Sequence, residues 1–204
     1  MKCLVDPSVV AAGSRAFREH EKRDAMYKVA TFLVDHFWGK PQEMADALGV
    51  LLLTWNNALY RYGLFDFSAL ESALRVNMEK LATFRCRDIL SFHEGDKEPV
   101  ERLFGSFLEA LKIADGKSQG TRSPVAVAKA LHLLAPGFFP LWDDKIAKKY
   151  KCRYAINPGK KYVQFIEISK DMAEQVQGKV QTGGATVLKL IDEYNYAKFT
   201  KQWI

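Results

Sequence analysis

Apolar residues recur at intervals of three and four along almost the whole chain, the spacing that places them on one face of an α-helix. The period-two alternation of half-buried β-strands is almost absent. The pattern therefore predicts an all-α protein, folded as one compact multi-helix domain over residues 1–204, and leaves open a division into two lobes. The predicted helices cover about 8–37 with a break near Glu21, and then about 42–61, 68–84, 97–114, 124–134, 144–151, 160–177 and 185–200.

One predicted helix is apolar on nearly every side. It reads VAVAKAL over residues 125–131, and Ser123 and Pro124 before it supply an N-cap and a proline at the first helical position. A helix of this composition is expected at the centre of the fold, with other helices around it. Lys129 lies in its middle, where an unpaired ammonium group is costly, so this lysine either reaches outward to solvent or has a partner.

Composition narrows the class of protein and its compartment. The 204 residues are 48% apolar and 26% charged, which is typical of a globular protein and excludes a disordered chain. The apolar run at residues 48–53 is too short to span a membrane, the first thirty residues mix acids with bases, and the three cysteines lie far apart. We therefore expect a cytoplasmic protein with reduced thiols and no membrane partner. The spacing of the four histidines indicates no metal site, and no cofactor motif is found, so neither a metal nor a cofactor is expected.

The formal net charge of +6 is unevenly distributed. Residues 112–161 hold 11 of the 30 lysines and arginines against three acids, a net of +8, and the rest of the chain carries a net of −2. This concentration favours a surface that binds a polyanion. The alternative is a solvated lysine-rich face that aids solubility.

Candidate chemistry is concentrated in residues 116–150, which read GKSQGTRSPVAVAKALHLLAPGFFPLWDDKIAKKY. A glycine-containing turn leads into the buried helix at Ser123, where free amide groups together with Lys117 and Arg122 would form a phosphate site. After an aromatic turn bounded by prolines, Asp143 opens a lysine-rich helix. The candidate phosphate contacts on that helix are Lys145, Lys148 and Lys149. Because Asp is a preferred N-cap residue, helix capping alone is the alternative for Asp143.

Gly120, the buried helix and Asp143 follow one another at a spacing that matches a known motif. The segment resembles the helix-hairpin-helix DNA glycosylase superfamily, and most closely its little-characterised branch related to the 8-oxoguanine glycosylases. The resemblance covers about 35 of the 204 residues and places Gly120 on the first hairpin glycine and Asp143 on the essential aspartate. Arg122 stands at the second hairpin glycine and Pro124 at the Schiff-base lysine, and the turn before Asp143 has one extra residue.

This resemblance implies that the protein binds DNA and takes part in base-excision repair. Since proline cannot be a nucleophile, it implies an enzyme of the monofunctional type, in which Asp143 stabilises an oxocarbenium-like sugar and positions water. Lys117, Arg122 and Lys129 are the cationic residues left to take the place of the missing lysine. Aromatic residues would hold the flipped base. The candidate walls are Trp142, Phe138, Phe139, Trp55 and Tyr60.

Two other classes of function stay open at the level of sequence. One is a catalytically silent relative that recognises DNA or RNA through the same basic face, which the proline at position 124 favours. The other is a helical protein-interaction domain, which an exposed apolar patch near Phe138 and Phe139 would indicate. His132 lies on the buried helix, where a satisfied core histidine is expected over a catalytic one.

Overall fold

The computed structural model describes residues 4–22, 24–181 and 183–204, and α-helices form most of this part of the chain. The helices are α1 (Pro7–His20), α2 (Asp24–His36), α3 (Pro41–Trp55), α4 (Asn57–Tyr60), α5 (Phe67–Arg85), α6 (Lys97–Ala110), α7 (Pro124–Leu134), α8 (Asp144–Lys149), α9 (Pro158–Val176) and α10 (Val187–Asn195). Two 3-10 turns, Ile89–Ser91 and Glu94–Asp96, precede α6, and a π-helical turn, Tyr196–Thr200, follows α10. No β-strand occurs among the described residues, so the all-α prediction is confirmed.

The helix boundaries follow the local chemistry of the sequence. Ser123 caps α7 through a hydrogen bond from the Ala126 amide to its hydroxyl oxygen at 3.2 Å, and Pro124 occupies the first helical position. Asp66 caps α5 in the same way, accepting from the Ser68 amide at 2.8 Å. The predicted break near Glu21 is confirmed, because α1 ends one residue before it. The predicted helix over 42–61 is divided at Asn56 into α3 and α4.

Helix α7 lies at the centre of the fold, as its composition predicts, and contacts α2, α3 and α6. Its residues other than those of the first turn and Lys129 are buried. These are Ala126, Val127, Ala128, Ala130, Leu131, His132, Leu133 and Leu134. The one charged residue of α7 therefore stands at the edge of the core.

A second close packing, between α1 and α10, forms a wall beside α7. A β-carbon at Gly13 would lie 2.8 Å from the Cα atom of Tyr194, so a glycine is needed for the two helices to approach this closely. The π-helical turn after α10 contacts α8. The start of α8 is thereby held against this turn, and Asp143 there lines the same cavity as Lys129.

The cysteines and histidines were expected to be free of metal. Cys86 is exposed and Cys152 is buried, and both are free thiols, whereas Cys3 lies outside the described residues. Burial raises the pKa of the Cys152 thiol to about 11. Within the described residues, no group of three or more His, Cys, Asp or Glu side chains is arranged to hold a metal ion. A search of the same residues for a helix long and apolar enough to cross a membrane finds none.

Candidate functional site

A cavity of about 360 Å³ opens between α1, α4, α7, α8 and α10. Its volume is within the range of about 300 to 1,000 Å³ that is usual for small-molecule pockets. Aromatic rings form much of its wall: Phe17, Trp55, Trp142, Tyr154 and Tyr196. Its polar lining is formed by Glu21, Asn56, Lys129, Asp143, Asp144 and Asp192. Asp143 and Lys129, the two residues that the sequence singled out for catalysis, thus lie in one cavity.

Asp143 caps a helix, which is one of the two roles that the sequence allows, and it also lines the cavity. Its Oδ1 atom accepts a hydrogen bond from the Ile146 amide at 2.8 Å and so caps α8. Its Oδ2 atom accepts a 2.5 Å hydrogen bond from the hydroxyl of Thr200, in the π-helical turn. Donors from two separate elements therefore hold the carboxylate in one orientation at the cavity wall.

Lys129 is paired, which is one of the two outcomes predicted for it. Its Nζ atom donates to the backbone oxygen of Trp55 at 3.1 Å and to Oδ1 of Asn56 at 2.6 Å. The ammonium group also lies 5.6 Å from the centre of the Trp55 ring. These contacts hold the cation at the end of α3, on the cavity wall formed by that helix.

Asp192 on α10 is a third charged residue of the cavity, and sequence reasoning missed it. The residue is 8% exposed, and its nearest cation is Lys189, with 3.6 Å between Nζ and Oδ2. Burial raises the pKa of Asp192 to about 6, the negative charges of Glu193 and Asp143 act in the same direction, and Lys189 and Lys129 act against it. The signal in the sequence was weak: charges three and four residues apart at 189, 192 and 193 are typical of an exposed helix face.

Lys189 lies behind the cavity wall and is almost fully buried. Its ammonium group is 3.2 Å from Oδ1 of Asp24 and 3.9 Å from Oε1 of Glu193, in addition to its contact with Asp192. It also lies over aromatic rings, at centroid distances of 4.2 Å to Phe17, 4.6 Å to Tyr27 and 5.7 Å to Trp55. A buried cation shared by three carboxylates thus supports the charged wall from inside.

His132 is the satisfied core histidine that the sequence predicts. Its Nδ1 atom is 2.7 Å from the backbone oxygen of Phe139, which only accepts, so the proton of the neutral ring lies on Nδ1. Its Nε2 atom then accepts from the Tyr27 hydroxyl at 2.9 Å. Burial lowers the pKa of His132 to about 4, with a smaller contribution of the same sign from Lys189, while the bond to Phe139 opposes both.

Of the five aromatic residues predicted to form the walls of a base pocket, two line the cavity and three do not. Trp142 and Trp55 line the cavity. Phe138 and Phe139 do not, because both are fully buried against Phe84, with ring centroids 4.7 and 5.1 Å away. Tyr60 is also buried, and its hydroxyl donates to the backbone oxygen of Leu111 at 3.0 Å. Rings from other elements complete the wall in their place: Phe17, Tyr154 and Tyr196.

The turn before α7 offers fewer free amide groups than the sequence suggested. Gly120, at φ +82°, donates its amide hydrogen to the backbone oxygen of Ile113 at 2.8 Å, and the Thr121 amide donates to Ser118 at 3.0 Å. The hydroxyl of Ser123 is occupied by its own helix cap. These donors are used within the protein, which removes them from the predicted phosphate site.

The basic side chains of the turn differ from one another. Arg122 forms an ion pair with Glu109, at 2.6 Å from Nε to Oε1 and 2.9 Å from the terminal nitrogen to Oε2, so its charge is largely neutralised. Lys117 is exposed in the turn. As far as the described residues go, neither side chain lines the cavity, and of the three cations considered for the missing lysine only Lys129 does.

The lysines of α8 lie close to the cavity because Asp143 and Asp144, at the start of this helix, form part of the wall. Lys145 donates to the backbone oxygen of Thr200 at 2.9 Å, next to the residue that holds Asp143. Lys149 lies 5.3 Å from the centre of the Phe199 ring, and Lys148 is exposed. Lys145 and Lys149 thus contact the π-helical segment from which Thr200 binds Asp143.

Comparisons with known proteins add no identity to this geometry, since no family model, no curated protein and no solved structure matches the chain.

Proposed function

We propose that the protein is a DNA glycosylase of the monofunctional type, which removes a damaged base from DNA. The observation that carries the proposal is the position of Asp143, which lines an aromatic-walled cavity at the start of a lysine-rich helix. A flipped nucleotide needs flat apolar walls for its base, a carboxylate near its sugar and cations near its phosphates. The cavity and α8 bring these three features together.

In the proposed reaction, Asp143 acts on the sugar. Breaking the bond between C1′ and the base leaves positive charge on the sugar ring, which a carboxylate at the cavity wall stabilises. The same carboxylate accepts a proton from the water that attacks C1′. The hydrogen bonds from Ile146 and Thr200 support this role because they keep the carboxylate oriented before substrate enters.

Lys129 has a binding role in this proposal. Its Nζ atom donates to the backbone oxygen of Trp55 and to Oδ1 of Asn56, and these two contacts hold the amine at the end of α3. Lys129 places positive charge beside the Trp55 ring, where it meets the base or the phosphate of the extruded nucleotide. We therefore expect no covalent adduct when the reaction is treated with borohydride, which reduces a Schiff base between lysine and sugar.

The proposed DNA-binding side is formed by the exposed lysines of α8 and by the turn before α7. The α8 residues are Lys145, Lys148 and Lys149, and the turn residues are Lys117 and Arg122, since Gly120 and Ser123 use their polar groups within the protein. The α8 lysines are the stronger part of this surface, because the turn uses its amides internally and Arg122 is paired with Glu109.

The test is base release from duplexes that contain 8-oxoguanine, uracil, hypoxanthine or an alkylated purine. We expect release of at least one base by the wild-type protein and a loss of at least about a hundredfold in Asp143→Asn, the usual scale for a catalytic carboxylate. Asp66→Asn is the matched control, because Asp66 also caps a helix, α5, and lies outside the cavity lining. If the two variants lose activity equally, or if the wild-type protein releases no base, the proposal fails.

A catalytically silent nucleic-acid-binding protein is the second candidate, and the commitment of Lys129 to two acceptors favours it. It predicts binding that weakens steeply with salt and no base release. The protein-interaction alternative rested on an exposed patch at Phe138 and Phe139, and burial of both residues removes that surface.

A further inference from the structure

The Asp192 carboxylate differs from Asp143 in how the protein holds it. None of the hydrogen bonds among the described residues ends on Asp192, and its closest charged contact is Lys189 at 3.6 Å. It is 8% exposed and it lines the cavity. Asp143, on the same cavity, accepts two hydrogen bonds. Asp192 is therefore a buried carboxyl group that has room for a hydrogen-bond partner in the cavity.

The titratable groups near Asp192 either line the cavity with it or lie close to Lys189 behind it. They are Lys189 and Glu193 on α10, Tyr196 after it, Glu21 after α1, Asp24 and Tyr27 on α2, Lys129 and His132 on α7, and Asp143 at α8. Burial and the neighbouring carboxylates favour the protonated form of Asp192, and raise its pKa to about 6. One cavity thus contains a carboxylate fixed by two donors and a second carboxyl group that holds a proton more tightly than usual.

We propose that Asp192 is a second catalytic residue, which donates a proton to a ring nitrogen of a neutral purine in the cavity. This inference rests on the proposed function. The two carboxyl groups then divide the work, with Asp143 acting on the sugar and Asp192 on the departing base. The expected substrates are therefore neutral purines, because these bases are poor leaving groups unless they are protonated as the bond to C1′ breaks.

The step balances without any further reactant. The bond from C1′ to the base breaks and its electron pair goes to the base, while the Asp192 proton moves to a purine ring nitrogen. The oxygen of water bonds to C1′, and a proton of that water goes to Asp143. Asp143 then releases its proton to solvent and Asp192 takes one up, so the net reaction is hydrolysis.

The kinetic test compares a neutral leaving base with a base that already carries positive charge. Hypoxanthine in a duplex needs a proton to leave, and 7-methylguanine does not. We expect Asp192→Asn to slow hypoxanthine release by at least about a hundredfold and 7-methylguanine release by less than about threefold. Asp143→Asn is expected to slow both. Equal slowing of the two bases in Asp192→Asn, or no slowing of either, would overturn the role of Asp192.

Glu193→Gln is the matched control, since Glu193 is the next residue of α10, is also within 3.9 Å of Lys189 and lies outside the cavity lining. It removes a neighbouring buried carboxylate, so any loss of folding from disturbing Lys189 is seen in both variants. We expect Glu193→Gln to show no difference between the two bases. A melting curve for each variant measures the folding contribution.

A binding measurement separates this inference from the proposed function, because it needs no base release. Free hypoxanthine stays neutral between pH 5.5 and 7.5, so its affinity reports the protonation of the protein. With a pKa of about 6 for Asp192, we expect wild-type affinity to fall roughly twentyfold over this range, and Asp192→Asn to show no such fall. If no base is released but this pH dependence is found, the glycosylase proposal and the catalytic role of Asp192 fail, and the result shows only that the protonated Asp192 carboxyl group binds a neutral purine. If Asp192→Asn keeps the pH dependence, or the wild-type protein lacks it or does not bind hypoxanthine, the inference fails.

Discussion

The charges of the cavity and those of the basic surface are held by the protein in different ways. Lys129, Asp143 and Lys189 each have defined partners at the edge of the core or within it. Lys117 and Lys148 are exposed, where water and salt screen their charges. Since electrostatic interactions are stronger in a buried environment, a charge in the cavity acts more strongly on its neighbours than a charge on the surface.

The basic surface itself has two unequal halves. In the turn before α7, Arg122 is paired with Glu109, and Lys112 lies 3.4 Å from the same carboxylate. In α8, Lys148 and Lys149 lie in the turn of helix after Asp144, which lines the cavity. The net charge of residues 112–161 therefore overstates the positive charge that the turn leaves unneutralised.

The largest effect is expected from removing the buried cation behind the cavity. Lys189→Met leaves Asp24, Asp192 and Glu193 without their shared partner, and we expect the free energy of unfolding to fall by about 3–5 kcal/mol. Urea unfolding followed by circular dichroism measures the change. Lys148→Met is the surface control, expected to change stability by less than about 0.5 kcal/mol. Similar losses of unfolding free energy in the two variants would show that the buried and the exposed lysine contribute equally to stability.

The pH dependence of the free energy of unfolding tests the buried titratable groups, and His132 is the first of these. Its pKa is about 4 in the folded protein and near 6.5 when unfolded, so the unfolded chain binds the extra proton and stability falls as pH is lowered from about 6.5 to 4. Asp192 acts in the opposite sense over about pH 4 to 6, because its raised pKa means that the folded protein holds the proton.

We therefore expect the two contributions to offset each other in the wild-type protein, and substitution to reveal them. In His132→Asn, whose amide retains a donor for Phe139 and an acceptor for Tyr27, the stability relative to wild type should increase by about 3 kcal/mol as pH falls from 6.5 to 4. Urea midpoints at four pH values between 4 and 7 measure this. A difference that does not vary with pH would mean that His132 titrates alike in both states.

The fold was largely predictable from the sequence because helix signals are local. The predicted helix over 124–134 has the bounds of α7, where Ser123, Pro124 and a continuous apolar run all agree. The last helix was less accurate, since the prediction over 185–200 covers both α10 and the π-helical turn, Tyr196–Thr200. The apolar spacing continues through both elements, so the pattern alone does not separate them.

The site was predictable only in part because it depends on contacts between distant segments. Asp143 and Lys129 stood out as charges in unusual local settings. Asp192 did not, because its burial results from the packing of α1 and α10 and its neighbours in sequence are those of an ordinary exposed helix. Phe138 was misplaced for the converse reason: an aromatic residue in a turn indicates a large side chain, but not the side to which it points.

The smallest effect expected concerns the two halves of the basic surface. Each phosphate contact contributes about 0.9 to the slope of log affinity against log salt for duplex DNA, so Lys148→Gln should reduce that slope by about one contact. Arg122→Gln should reduce it by less, because Glu109 already neutralises the guanidinium group, and loss of the exposed ion pair should change stability by at most about 1 kcal/mol. Fluorescence anisotropy of a labelled duplex from 50 to 200 mM salt measures both slopes. If Arg122→Gln has the larger effect, the guanidinium leaves Glu109 to bind phosphate and the turn, not α8, is the main DNA contact.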